Sequence, residues 1–228
     1  MFAPFRDRRD AGRRLAARLA ELAAATPEAW AQPVVFALPR GGVVVGYEIA
    51  RALGAPLDIL VVRKLGAPGQ PELGVGALVD GDSPETVLNP EVVRLAGVTR
   101  EYLDAEVARQ LEEIHRREAR YRQGRPRVPV AGRTVIVVDD GIATGGSVRA
   151  ALRGLGRARP ARLVLAVPVA PRDTVEALRA EVDEVVCLET PEPFLAVGYH
   201  YGDFAQTTDE EVVALLERSR DEGHAARA

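Results

Sequence analysis

One stretch constrains this chain more than any other: residues 135–147, V-I-V-V-D-D-G-I-A-T-G-G-S. Four β-branched residues run straight into two adjacent carboxylates, Asp139 and Asp140. A Gly/Thr/Ser turn follows, and Val148, Leu152 and Leu155 then repeat with helical spacing. That order predicts a parallel strand buried on both faces, a ligand loop at its carboxyl end, and a helix whose N-terminus faces the loop. Unpaired amides and the helix dipole make such a terminus a seat for phosphate. Asp139 and Asp140 repel a phosphate, so they must face something else, such as sugar hydroxyls or a metal ion. A phosphate at one end and a polyol at the other describe a phosphorylated sugar.

The flanking sequence predicts the rest of an α/β fold. Residues 33–38 form a short apolar strand ending in Pro39-Arg40-Gly41-Gly42, and residues 43–53 a helix that Gly54 closes. Residues 57–62 read as a second buried strand ending in Arg63-Lys64-Leu65-Gly66. Carboxyl ends of neighbouring parallel strands share a crevice, which places Arg40, Arg63 and Lys64 beside the Asp139 loop. Residues 66–90 interrupt the rhythm with a turn-rich loop and a hairpin joined through Asp80-Gly81-Asp82.

Residues 99–123 form the longest helix, with Leu103, Val107, Leu111 and Ile114 on one stripe. Glu112–Arg116 and Glu113–Arg117 are its expected i,i+4 pairs. His115 reads as a surface residue. Strands over residues 162–167 and 184–188 flank a helix over 171–180. The whole is a doubly wound, mainly parallel five-stranded sheet. Residues 10–25 and the segment from Thr208 onward are amphipathic helices, and the arginines of the first (Arg8, Arg9, Arg13, Arg14, Arg18) read as a solvated face. Phe194, Tyr199, His200, Tyr201 and Phe204 gather in an irregular segment, either as a stacking surface or as a cap on the sheet edge. The tail over 223–228 reads as frayed.

Composition removes several classes of function. The formal charge of −3 over 228 residues gives no basic field, so no nucleic-acid partner is expected. The longest apolar runs are strand-length, so no membrane span is expected. Cys187 is the only cysteine and the N-terminus lacks an apolar leader, which together suggest a reducing, cytoplasmic setting. Lys64 is the only lysine, so any role that needs one falls on it. The Gly141–Ser147 turn has the G-x-x-x-x-G spacing of a P-loop, but no lysine precedes its serine, since Gly146 occupies that place. The chain has no G-x-G-x-x-G after its first strand, no G-x-S-x-G elbow and no His or Cys cluster for a protein-built metal site.

Residues 135–147 resemble the phosphoribosyl pyrophosphate signature of the type I phosphoribosyltransferases. Leu38-Pro39-Arg40-Gly41-Gly42 is similar to the family's pyrophosphate loop, and Val62-Arg63-Lys64-Leu65-Gly66 to the segment that delivers a pyrophosphate-contacting base. Pro71-Glu72-Leu73, Tyr121-Arg122 and residues 194–204 resemble a bacterial subgroup of the family, so the likeness spans about residues 6–215. It implies a single domain over 1–228, with a lid within 66–130 and a small hood at 189–208.

By this resemblance Asp139 and Asp140 hold the ribose 2′- and 3′-hydroxyls, and Gly141, Ala143, Thr144, Gly145, Gly146 and Ser147 surround the 5′-phosphate. Arg40, Gly41 and Gly42 contact the pyrophosphate, with Arg63 and Lys64 in support. Phe194 is the residue offered for stacking on a base, and Asp203 the one offered for approach to Mg²⁺. That ion is expected to ride on the diphosphate. In the family the peptide before the loop's glycine is often cis, here Arg40–Gly41. The exposed end of the long helix explains Tyr121 and Arg122 equally well.

The implied reaction transfers phosphoribosyl from phosphoribosyl pyrophosphate to a nucleobase-like small molecule, with release of pyrophosphate. Ala143 stands where 6-oxopurine enzymes carry an aspartate, which disfavours those bases. A phosphoribosyl pyrophosphate- or nucleotide-sensing regulator on the same fold is the alternative, and the resemblance also allows a homodimer.

Overall fold

The computed structural model describes residues 3–81 and 84–225. Its elements in order are α1 (Arg8–Ala25), β1 (Val34–Ala37), α2 (Gly41–Leu53), β2 (Leu57–Ile59), β3 (Val62–Ala67), β4 (Gln70–Val79), β5 (Glu85–Leu88), α3 (Pro90–Leu95) and α4 (Arg100–Arg122). The chain continues through β6 (Thr134–Val138), α5 (Gly146–Arg157), β7 (Arg162–Val169), α6 (Arg172–Leu178), β8 (Glu184–Glu189) and α7 (Asp209–Ala225). No helix among the described residues is long and apolar enough to cross a membrane.

The main sheet has five strands in the order β2-β1-β6-β7-β8, each neighbouring pair parallel. The chain winds outward from β1 to β2, then returns to the other side of β1 and winds outward through β6, β7 and β8. The direction therefore reverses between β1 and β6, and open α/β sheets bind ligands at the carboxyl ends beside such a reversal. Both faces are covered, and the period of two sorts the strand residues between them. Val35, Ala37, Ile136, Val138, Val164 and Ala166 face a core shared with α1, α2 and α7. Val34, Phe36, Val135, Val137, Leu163 and Leu165 face a core shared with α5 and α6.

Local signals end the helices where expected. Gly54 adopts φ 60° beyond α2, a left-handed turn that glycine enters without steric cost. Asp7 accepts the Asp10 amide at 2.7 Å to start α1. Thr208 and Glu211 cap α7 reciprocally, each side chain accepting the other's amide. Helix α7 runs to Ala225, so the expected fraying does not begin at Gly223, and residues 226–228 lie outside the described residues.

Three expectations are corrected. The predicted strand over 57–62 is split, because β2 ends at Ile59 and β3 belongs to a separate antiparallel sheet, β3-β4-β5. The reason lies across the chain: Arg122 donates to the Ile59 carbonyl at 2.9 Å, while Val61 is drawn to Asp80. The expected hairpin is present as β4 and β5, although Asp82 of its turn lies outside the described residues. Helix α3 was not predicted, despite Asn89 as its cap and Pro90 at its first turn. On α4, His115 is exposed as expected, but Glu113 binds both Arg116 and Arg117, at 2.8 and 2.7 Å, so the Glu112–Arg116 pair does not form. Ile114 is the buried member of the apolar stripe, with Leu103, Val107 and Leu111 packed half-buried around it.

The hood is tied to the N-terminus. Phe5 and Arg6 accept the amides of Gly202 and Asp203, both at 2.8 Å, and Phe5 packs with Val169 and Tyr201.

Candidate functional site

Two loops meet at the sheet's reversal point. Loop 38–40 leaves β1 and opens directly into α2, and loop 139–145 leaves β6 and opens into α5. They touch glycine against aspartate. A Cβ on Gly41 would fall inside contact of the Asp140 carboxylate and 2.7 Å from Arg8 Nε, and one on Gly42 would lie 3.0 Å from Asp139 Cα. Gly141, at φ 157°, has the side chain of Val197 from the hood against it, leaving no room for a Cβ. The cis peptide lies one bond before the expected one, between Pro39 and Arg40.

The two carboxylates have different surroundings. Asp139 Oδ1 accepts the Asp140 amide at 2.9 Å. Burial raises its pKa well above the usual carboxylate range, and the neighbouring Asp140 charge adds to the shift. Asp140 Oδ2 accepts Arg8 Nε at 2.6 Å. Arg8 also donates to the Ala205 carbonyl at 2.7 Å and lies 3.8 Å over the Phe204 ring. Tyr201 donates its hydroxyl to the Asp140 carbonyl at 2.5 Å. Arg8 is thus a correction to the solvated face assigned to the first helix. No local pattern marks it, because its partner lies 132 positions away.

The Asp139 shift makes a stability prediction with a definite sign. A carboxyl whose folded pKa exceeds its unfolded pKa takes up a proton on folding. Its contribution is therefore lost as pH rises from the ordinary carboxylate range through the raised value. Asp139→Asn should raise the thermal midpoint at pH 7.5 and change it little near pH 4. A difference between wild type and variant that fails to grow with pH would refute the assignment.

On the α5 side, Gly145 caps the helix at φ 74° with no side-chain hydrogen bond to the first-turn amides. Thr144, Gly146 and Ser147 line a cleft of about 620 Å³ together with Lys64, Glu72 and Arg149. Ala143 is exposed, and its carbonyl accepts the Thr174 hydroxyl at 3.1 Å. Lys64 therefore lies with the phosphate turn, not with Arg40. Successive strand residues point to opposite faces, and Arg63 turns the other way, donating to Gln110 Oε1 at 2.9 Å. Arg40 opens onto a third recess, with Arg117 and Arg120 of α4. The expected single cluster of Arg40, Arg63 and Lys64 does not form.

Tyr121 and Arg122 are likewise corrected, since both are buried. Burial and a 2.6 Å hydrogen bond to Asp209 push the Tyr121 phenol up to about 12. In the hood, Phe194 is half-buried and stacks on His200 with ring centroids 5.2 Å apart. Four of the aromatic segment's rings thus pack as a cap, Phe194 on His200 and Tyr201 on Phe204 with Arg8 over it, whereas Tyr199 is exposed. Asp203 is exposed, and its Oδ1 accepts the Ala205 amide at 2.9 Å. Among the described residues no group of three His, Cys, Asp or Glu side chains is placed to hold a metal. The carboxylates that are present at the crevice, Asp139 and Asp140, are oxygen donors of the kind that Mg²⁺ takes.

Comparison with known proteins identifies the family. The family model described as "Phosphoribosyl transferase domain" matches residues 8–202. Two Mycobacterium tuberculosis proteins named "Putative phosphoribosyl transferase" (MT0597 and Rv0571c) are each 50% identical over 216 residues, which is 94% of this chain and 47% of theirs. The chain thus spans about half the length of the curated relatives it matches. The crystal structure of TT1426 from Thermus thermophilus is 48% identical with a TM-score of 0.79, covering 94% of this chain and 98% of that one.

Proposed function

Because the chain belongs to the type I phosphoribosyltransferase family, we propose that it binds phosphoribosyl pyrophosphate and transfers the phosphoribosyl group to a nucleobase-like acceptor. The observation that carries this reading is the order of chemistry along the reversal point. An uncapped helix turn (Thr144–Ser147) comes first, then two carboxylates (Asp139, Asp140), then an arginine loop (Arg40–Gly42). Phosphate, ribose and diphosphate follow one another in the same order along the substrate.

In the reaction the bond from C1′ to the diphosphate oxygen breaks and its electron pair leaves with the diphosphate. The acceptor nitrogen forms the new bond to C1′ and gives up its proton. Asp139 and Asp140 orient the ribose through its 2′- and 3′-hydroxyls, and the α5 amides with Ser147 and Thr144 hold the 5′-phosphate. Arg40 faces the leaving group, where preorganised positive charge is most effective. Mg²⁺ on the diphosphate supplies further charge neutralisation. Lys64, one of the cations of that cleft with Arg149 and Arg153, secures the 5′ end. The 66–130 segment is the candidate lid, and Arg122 anchors its far end. Ala143 leaves no acid beside the acceptor, which disfavours 6-oxopurines.

Incubating the protein with Mg²⁺, phosphoribosyl pyrophosphate and a panel of bases should release pyrophosphate with at least one base. Tight binding of phosphoribosyl pyrophosphate without release above background would instead make the protein a sensor of that ligand.

A further inference from the structure

A leaving diphosphate needs more positive charge than Arg40 alone, and the structure withholds the two side chains expected to supply it. Arg63 is engaged with Gln110 in an adjoining recess that shares Arg116, and Lys64 lies in the cleft with Thr144 and Ser147. A different source stands beside Arg40. A cavity of about 390 Å³ opens against the Pro39–Arg40 loop, and its other walls are Arg116, Arg117, Arg120, Tyr121 and Asp209. Four guanidinium groups thus face one carboxylate.

Helical geometry places Arg120 beside both other α4 arginines, since it lies four residues after Arg116 and three after Arg117. Their carboxylate partners are shared. Glu113 accepts from both Arg116 and Arg117, which draws its pKa down to about 2. Asp209 accepts the Tyr121 hydroxyl and Arg120, each at 2.6 Å, and lies 3.8 Å from Arg40. Counting the outlying Glu210, bound to Arg120 at 2.6 Å, three carboxylates serve four arginines. The network holds the guanidinium groups in place and leaves a surplus positive charge at the cavity. Arginine matches the paired oxygens of phosphate groups, and such charge-assisted contacts are strong.

We propose that Arg116, Arg117 and Arg120 of α4, acting with Arg40, form the cationic seat of the diphosphate leaving group. The ligand class is a diphosphate, either free or as the 1-diphosphate of the sugar substrate. This assignment rests on the function proposed above and extends it to a helix outside the two site loops.

The test is calorimetric titration of wild type, Arg117→Gln/Arg120→Gln and Arg109→Gln with three probes: inorganic pyrophosphate, ribose 5-phosphate and phosphoribosyl pyrophosphate. Arg109 is a control on the same helix that lines the adjoining recess with Arg63 and does not line the cavity against Arg40. The double variant should lose pyrophosphate affinity by roughly tenfold or more per arginine. Its affinity for ribose 5-phosphate should change less than twofold, Arg109→Gln should change neither, and Arg117→Lys/Arg120→Lys should recover part of the loss.

Unchanged pyrophosphate affinity in the folded double variant, or equal weakening of both probes, overturns the proposal, as does a wild type that fails to bind pyrophosphate. If the double variant fails to fold, Arg116→Gln supplies the same comparison at a more exposed position. Should wild type bind pyrophosphate through these arginines but not phosphoribosyl pyrophosphate, the transferase reading falls and the diphosphate seat stands. Should it bind phosphoribosyl pyrophosphate with no effect of the variants, the seat falls and the transferase reading stands.

Discussion

Replacing Asp139 and Asp140 together by asparagine is expected to abolish Mg²⁺-dependent binding of phosphoribosyl pyrophosphate. Both residues follow β6 directly, where the strand fixes their backbone, and Gly41 and Gly42 pack against them. Each carboxylate is assigned to accept from a ribose hydroxyl, and hydrogen bonds to charged groups contribute about 1.5–3 kcal/mol each. Losing two corresponds to roughly 100-fold or more in Kd.

The fold should survive the change. Asparagine relieves the buried charge at Asp139, and Arg8 retains the Ala205 carbonyl and the Phe204 ring after losing the Asp140 charge. Calorimetry on the folded variant is the measurement, with a thermal melt to confirm folding. Undiminished affinity would remove both residues from the sugar site.

Arg122→Ala is expected to cost about 3–5 kcal/mol of stability, the usual result of removing one partner from a buried ion pair. The Arg122 side chain is 10% exposed, and it meets Asp58 and Asp80, which are 7% and 0% exposed. Its Nε donates to Asp58 at 2.9 Å, one terminal nitrogen donates to the Ile59 carbonyl, and the other reaches Glu118. Arg127 also binds Asp80 and Glu118, so it offsets part of the loss there. Asp58 keeps only the amides of Ile59 and Val128, at 2.7 and 2.9 Å. Alanine therefore leaves the buried Asp58 without its hydrogen-bonded cation, and Arg127 then acts on it only through space.

Arg122 joins the end of α4 to the end of β2, so its loss should also loosen the wall that carries the arginine cavity. Urea denaturation, read as a lower midpoint at an unchanged slope, measures the effect. A change under about 1 kcal/mol would mean that this network behaves as an exposed one does.

Much of the architecture was legible in local pattern. The apolar runs at 34–37, 134–138 and 162–169 are buried on both faces, and an unbroken hydrophobic strand can be read as buried from its composition alone. The switch from strand to helix at 139–146 marked the turn between β6 and α5 for the same reason, since every signal for it lies within about a dozen residues. Arg63 and Lys64 show where that kind of reading stopped. Placing them at the end of one parallel strand put them in one crevice, whereas the pleat of β3 sends them to different recesses. Strand alternation was present in the sequence. The end of β2 at Ile59 was not, because the guanidinium that takes its carbonyl comes from residue 122.

The sequence by itself determined the parallel sheet, the carboxylate pair and the glycine turn that opens α5, because each depends on period, burial or chemistry that neighbouring residues carry. Only the tertiary structure decided what surrounds them. It brought Arg8 onto Asp140, set Lys64 beside Ser147, and placed Arg116, Arg117 and Arg120 opposite Arg40. Those pairings join elements far apart in the chain, and a charged side chain on a helix looks the same in sequence whether it meets water or a buried carboxylate.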